Sequence, residues 1–190
     1  MDEFDRLTAE LFGADAHKDV DISADLSGDL SGDSSEHEKT VDFPWVLFSV
    51  NNVVYAVFST HVLSIEILGE ATPLVNSPAY SRGITNFRGD MIALIDIRTL
   101  FCLPSREERM YAEGGDGAYD AEQRDMVVVL EVDGVVKGII VDDIVSVEYI
   151  NRILDMEGLD QNTEFIKRLG KREKDNSTVQ MIDEEKIIRL

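Results

Sequence analysis

Residues 81–100 read SRGITNFRGDMIALIDIRTL, and this stretch decides the fold. Arg82-Gly83 and Arg88-Gly89 each place a glycine where the backbone can adopt a positive φ, which indicates tight turns. The run from Met91 to Ile97 is rich in branched aliphatic residues and predicts a short buried strand. The stretch therefore offers turns and one exposed cation, but no nucleophile.

An internal duplication lies on both sides of this stretch. A shift of 82 residues places 46–68 on 128–150 without a gap, with six identities and most other pairs alike in class. Asn51-Asn52 then faces Asp133-Gly134, and both dipeptides are typical of two-residue hairpin turns. Further along, the register slips to 85 and then by two more residues. Because this period is too long for a solenoid, we interpret it as a duplicated small β unit.

Each unit reads as a hairpin, a helical turn, a short strand, a connection, a capped helical turn and a final strand pair. Ser77 before Pro78 predicts the start of a helix, and Gly83 predicts its end. Thr60 and Asp142 are each expected to cap a short helical turn. Such short strands favour an all-β fold of two small barrels or curled sheets side by side. The last strand of the first half is expected to cross to the second.

The chain is predicted to have an acidic arm, residues 1–42, followed by one domain, residues 43–190, with a polar loop at about 104–125. The arm carries 13 acidic and 3 basic side chains and Asp-Leu-Ser-Gly repeats, which predicts disorder. Its front contains a stripe of helical spacing, read either as a docking helix or as a helix too short to persist alone: Phe4, Leu7, Leu11 and Phe12.

Composition excludes several classes of function. The formal charge of −20, without a basic patch, argues against nucleic acid. No apolar stretch approaches the roughly 20 residues of a membrane helix. Cys102, the only cysteine, is expected to be a buried, inert thiol, which indicates a reducing compartment. His61 is expected to be partly buried or on the surface, and His17 and His37 lie too far apart for a metal site, so we expect no catalytic residues, no metal and no cofactor.

The span from about Trp45 to Leu190 resembles the CheW family of bacterial chemotaxis coupling proteins and the regulatory domain of the chemotaxis histidine kinase. The order and spacing of four motifs carry the resemblance: Ile65-Glu66-Ile67, the run from Tyr80 to Asp90, Ile95-Asp96-Ile97, and the run from Val136 to Asp142. The resemblance implies an all-β fold of two interlocked, five-stranded SH3-like β-barrel subdomains with a few short helices. It also implies a non-catalytic adaptor without a cofactor.

The resemblance further implies the partners. These are the regulatory domain of a CheA-type histidine kinase, the cytoplasmic hairpin tip of a chemoreceptor and other CheW-like proteins. The protein is then cytoplasmic, without direct membrane insertion, and reaches the inner face of the membrane through receptors. A CheW-like regulator of a kinase pathway outside chemotaxis stays open as an alternative.

Partner binding is expected at six residues: Arg88, Glu66, Asn86, Gly83, Gly89 and Gly138. Arg88 is expected to face acidic groups on a helical partner. Its alternative role is structural, as a brace between the barrels through Asp96 or the C-terminal strand. Glu66 has the same two interpretations, and its repeat partner Glu148 favours the structural one. The three glycines are expected to serve the backbone first.

A rival interpretation makes the chain an enzyme or a small-ligand-binding module on a duplicated barrel. That activity needs convergent titratable groups in a cleft. A deep pocket lined by Asp96, Asp142 and His61 would support it.

Overall fold

The structure is a computed structural model that describes residues 43–105, 108, 124–154 and 164–190. The acidic arm, including His17 and His37, lies outside the described residues, as does most of the loop expected at about 104–125. The described chain forms eleven strands, two short α-helices and one 3₁₀ turn. They are β1 Trp45–Val50, β2 Val53–Phe58, the 3₁₀ turn Ser59–His61, β3 Val62–Ile67, β4 Ser81–Phe87, β5 Asp90–Asp96, α1 Ile97–Leu100, β6 Met126–Val132, β7 Val135–Val141, β8 Asp143–Glu148, β9 Arg152–Leu154, β10 Ile166–Lys171, β11 Thr178–Ile182 and α2 Glu184–Ile188.

The strands form two sheets, so the predicted all-β, SH3-like fold is confirmed. The first sheet has six strands in the order β8-β1-β2-β11-β10-β9, and the second has five in the order β3-β6-β7-β5-β4. The sixth strand of the first sheet is the three-residue β9, which was not expected.

The two halves exchange their first hairpins. The β1–β2 hairpin of the first half joins β8 to β11 of the second, while β6–β7 joins β3 to β5 of the first. The expectation that the last strand of the first half crosses over is therefore wrong. That strand, β5, stays beside β4, and β7 is added to it in parallel.

The predicted duplication is confirmed at the hairpin turns. Asn51 and Asn52 have φ of 51° and 63°, and Asp133 and Gly134 have φ of 52° and 78°. Two successive positive φ values define a type I′ turn, which matches the right-handed twist of the flanking strands.

The ladder irregularities repeat as well. The β3–β6 pair shifts register at Leu63, and the β8–β1 pair shifts at Val145, 82 residues later. The β4–β5 pair shifts at Arg82 and the β10–β11 pair at Lys167, 85 residues later. The slip in the sequence register therefore corresponds to equivalent bulges in the two sheets.

One apolar core lies between the sheets, and each sheet has a smaller core of its own. The central core draws on both halves and includes Phe48, Tyr55, Leu130 and Ile139. The smaller core of the five-stranded sheet joins Leu63 on edge strand β3 to Phe87 on the other edge strand, β4. A sheet whose two edges contact one cluster is curled on itself.

Three local predictions are wrong. No helix starts at Ser77, because its hydroxyl donates backwards to Leu74 O (3.0 Å) and Pro78 opens a turn closed by Ser81 N (2.9 Å). Thr60 lies inside the 3₁₀ turn, whose N-cap is Phe58. Asp142 caps no helix; its carboxylate accepts from Asn51 N (2.7 Å) instead.

Candidate partner-binding surface

Arg88 lies at the tip of the β4–β5 hairpin and is exposed. Its φ is 51°, and its guanidinium carbon lies 4.9 Å from the centre of the Phe87 ring. The brace expected through Asp96 is wrong, since Asp96 lies near Arg98 instead, with 3.6 Å between Asp96 Oδ1 and Arg98 Nη1. Within the described part of the chain, Arg88 makes no ion pair, so its charge is available to a partner.

Asn86 and Gly89 shape this hairpin. The side-chain oxygen of Asn86 accepts from Gly89 N (3.2 Å), and Gly89 has a φ of 101° with open space around its Cα. Asn86 is itself exposed, so it combines a turn contact with a free surface. Gly89 supplies a conformation that residues with a side chain rarely adopt.

Gly83 and Gly138 are buried and serve the packing. A Cβ on Gly83, whose φ is 121°, would lie 2.1 Å from Thr72 O, because the segment before β4 bonds to that strand there. A Cβ on Gly138 would lie 2.6 Å from the Leu94 side chain. Any effect of these two positions on a partner is therefore indirect.

Glu66 is exposed on edge strand β3, with Ser64 Oγ donating to its carboxylate at 3.1 Å. Its repeat counterpart Glu148 has the same serine contact from Ser146 (2.6 Å), and it also accepts two bonds from Arg172, at 2.6 and 3.1 Å. These bonds from Arg172 lower the pKa of Glu148. Glu148 is therefore structural, while Glu66 has no arginine on it among the described residues.

The buried charge of the molecule is centred on Arg98, which the sequence analysis missed. Arg98 is 5% exposed, donates through Nε to Asp142 (2.7 Å) and through Nη2 to Asp125 (2.6 Å), and has a second contact from Nη2 to Asp142. These carboxylates hold the pKa of Arg98 above its ordinary value in spite of burial. The sequence feature that could have indicated this buried arginine is its position two residues after the helix cap Asp96 and next to a buried strand.

A second buried charge belongs to Glu184, at the start of α2. Its carboxylate is 2% exposed, accepts from Phe58 N (2.6 Å) and lies 3.9 Å from His61 Nδ1, a buried atom without a hydrogen bond. Burial raises the pKa of Glu184. This contact ties the C-terminal helix to the end of β2. His61 is partly buried, as one of its two predicted alternatives had it.

A cavity of about 720 Å³ adjoins the Arg98 cluster. Its lining includes Arg82, Asp96, Arg98, Cys102 and Asp125. Of the three residues whose convergence in a deep pocket would have supported the rival interpretation, only Asp96 lines this cavity, whereas Asp142 is bound to Arg98 and His61 lies beside Glu184. The prediction of a buried Cys102 is wrong: the thiol is exposed, because the residue follows α1 in a turn with a φ of 53°.

Two further features of the described residues concern metal binding and membrane insertion. No group of three or more His, Cys, Asp or Glu side chains there could hold a metal ion. No described helix is long and apolar enough to span a membrane.

The sequence profile of the CheW-like domain matches residues 44–190. The chain belongs to the CheW-like family. It is 29% identical over 109 residues to the chemotaxis protein CheW of Klebsiella aerogenes, a match that covers 57% of this chain and 58% of that relative. The chain thus matches a little over half the length of that relative.

The fold also has a solved counterpart. The crystal structure of the scaffolding protein TtCheW from Thermoanaerobacter tengcongensis superposes with a TM-score of 0.62 at 22% identity. The superposition covers 75% of this chain and 89% of TtCheW. At this identity the likeness supports the CheW-like fold.

Proposed function

We propose that this chain is a non-catalytic adaptor that couples chemoreceptors to a CheA-type histidine kinase in chemotaxis. The observation that carries the proposal is the CheW-like domain, which extends from residue 44 to residue 190. The names of the two relatives, a chemotaxis protein and a scaffolding protein, agree with it. In this role the protein is cytoplasmic and is recruited to the membrane by receptors.

The β4–β5 hairpin is the surface proposed to contact the receptor. Arg88 has a positive φ, a conformation that asparagine or glycine adopts with less strain. An exposed arginine at such a position, stacked on Phe87, is held out towards solvent. A planar guanidinium suits carboxylates on a helical partner, while Asn86 and Glu66 provide further polar contacts.

The kinase contact is proposed for the apolar faces of the sheets, away from this hairpin. Couplers of this kind act by geometry, since a signal reaches the kinase as a change of packing between components. Individually weak contacts gain strength when they repeat in an array. Other CheW-like proteins fit the same arrangement.

Co-sedimentation with receptor-bearing membranes tests the proposal. The chain should sediment with these membranes without the kinase, and it should increase the amount of kinase that sediments. If the chain binds the kinase but never sediments with receptors alone, it is a kinase regulator rather than a coupler. Such a result would favour the pathway outside chemotaxis.

Substitution of Arg88 tests the contact itself. Arg88→Glu should weaken binding to a receptor-tip fragment by about tenfold or more, because a favourable charge contact becomes repulsive. Kinase binding and the melting temperature should stay near those of the native chain. Arg152→Glu, the same change at an exposed residue of the other sheet, is the control and should leave receptor affinity unchanged. Unchanged affinity in folded Arg88→Glu would remove Arg88 from the site.

A further inference from the structure

An apolar strip extends beyond the central core at the hairpin end of the five-stranded sheet. Ala93 on β5 pairs with Lys137 on the parallel strand β7, so Met91 and Val135, two residues earlier on each strand, are neighbours on the same face. Ile84 on β4 pairs with Ala93 and continues the row. We call these five residues the hairpin strip.

The strip lacks a cover among the described residues. Met91 is 57% exposed and Val135 is 45% exposed, although the same face is fully buried four residues further along β7, at Ile139. Lys137 is half-buried in the strip, where burial lowers its pKa, and it makes no ion pair within the described chain. A strip that combines apolar surface with a partly desolvated cation fits a partner that is both apolar and acidic.

The chain carries a segment of that chemistry. The spacing of Phe4, Leu7, Leu11 and Phe12 predicts one apolar helix face. Residues 1–13 also contain four acidic side chains against one basic one, a net charge of −3. A helix that presents this apolar face to Met91 and Val135 can also bring a carboxylate to Lys137.

The arm is long enough to reach the strip. Thirty residues, 13–42, separate the segment from Phe43. A chain of this length without packed structure, as its composition predicts, has a root-mean-square span of about 30 Å. That span is comparable with the diameter of a domain of about 150 residues. The tether therefore gives the segment an effective concentration of order millimolar at the strip.

We propose that residues 2–12 dock in cis on the hairpin strip as an amphipathic helix and cover Met91 and Val135. The apolar contact supplies the attraction, and Lys137 sets the orientation. Asp90 and Asp133 lie near the hairpin turns. Because their carboxylates repel the acidic residues of the arm, the favoured pose directs those acidic residues towards Lys137. Exposed Asn86 on β4 pairs with Met91 and shares the face of the strip, so the docked arm covers a residue of the proposed receptor contact and competes with the receptor tip. The competition, unlike the docking, rests on the proposed function.

Methionine-methyl NMR on the full chain tests the docking. A spin label is placed at Ala9→Cys in a Cys102→Ser background. The label should broaden the Met91 methyl signal at least about threefold more than that of Met181, which is fully buried in the other sheet. Leu7→Asp/Leu11→Asp should abolish the difference. The matched control in the arm, Leu26→Asp/Leu30→Asp, should keep it.

Two results overturn the docking. One is equal broadening of Met91 and Met181; the other is Met91 broadening that survives Leu7→Asp/Leu11→Asp. Val135→Asp, a substitution at the exposed start of β7, should weaken the docking and should therefore also abolish the extra broadening of the Met91 signal. If that variant does not fold, Lys137→Glu replaces it, and full retention of the broadening in folded Lys137→Glu contradicts the assigned orientation.

A titration with the receptor-tip fragment tests the competition. Leu7→Asp/Leu11→Asp should bind the receptor-tip fragment with an apparent affinity about two- to tenfold higher than that of the native chain. The reason is that the docked arm makes part of the native population unable to bind the fragment. Equal affinities reject the competition while the NMR contact stands. If neither chain binds the fragment, the proposed function fails and the docking result is unaffected.

Discussion

Replacing Arg98 by methionine should destabilise the domain more than the same substitution at Arg88. The guanidinium is 5% exposed and makes charged bonds of 2.7 Å to Asp142 and 2.6 Å to Asp125. Methionine fills similar volume but removes the charged bonds that Arg98 donates to Asp142, itself 7% exposed. Removing one partner of a buried ion pair costs about 3–5 kcal/mol. For a domain of this size the melting temperature should fall by about 6–20 °C.

The assay is thermal and urea unfolding followed by circular dichroism and by the fluorescence of Trp45, the only tryptophan. Arg88→Met is the matched control and should change the free energy of unfolding by no more than about 0.5 kcal/mol. Arg98→Met combined with Asp142→Asn should cost less than the sum of the two single changes, because both charges then leave together. Equal small losses at Arg98 and Arg88 would refute the assignment of the buried charge cluster as a structural element.

Three further substitutions test local features by the same unfolding assay. Gly83→Ala should lower the free energy of unfolding by several kcal/mol, because the new Cβ would collide with Thr72 O. The new Cβ of Gly89→Ala meets no atom, so that substitution should cost only about 1 kcal/mol of backbone strain. Equal losses of stability would contradict the packing role of Gly83. Burial raises the pKa of Glu184 in the folded state, so its contribution to stability is complete below the ordinary value of 4.5 and is lost as the pH rises through the raised value. The stability of Glu184→Gln relative to the native chain should therefore increase as the pH rises above 4.5, and a flat difference would show that His61 and Phe58 N fully compensate the buried charge.

The duplication could be predicted because local chemistry determines it. Asn51-Asn52 and Asp133-Gly134 are among the few dipeptides that tolerate two positive φ values, so the turn type follows from the residues. The alternation of apolar residues then fixes the strand register on either side. The slip of two residues before Asp96 has a local cause too, since the β10–β11 turn is longer than the Arg88-Gly89 turn.

The buried charges could not be predicted in the same way. Asp125 and Asp142 meet Arg98 only after the second hairpin is exchanged into the first half, and no local pattern encodes that approach. The exposure of Cys102 could not be predicted for a similar reason. An apolar strand precedes it, but the turn after α1 directs the thiol outwards. Arg88 does lie in a turn, as predicted. The bracing role that was its alternative belongs to Arg98, which bonds to Asp142 and Asp125 of the second half.

The two halves differ in the residue that follows or ends the strand equivalent to β4, and therefore in the pairing of a glutamate on the edge strand. At the end of β10, Arg172 holds Glu148 on the edge strand β8 of the same sheet. The equivalent place at the end of β4 is taken by Phe87, which turns into the small core and supports the Arg88 guanidinium. Because Phe87 cannot neutralise a carboxylate, Glu66 stays exposed on its edge strand with only Ser64 on it among the described residues. The second repeat thus pairs this glutamate with an arginine, whereas the first presents a carboxylate and a guanidinium to solvent. This difference within a single fold is our physical reason for proposing the partner contact on the first half of the chain.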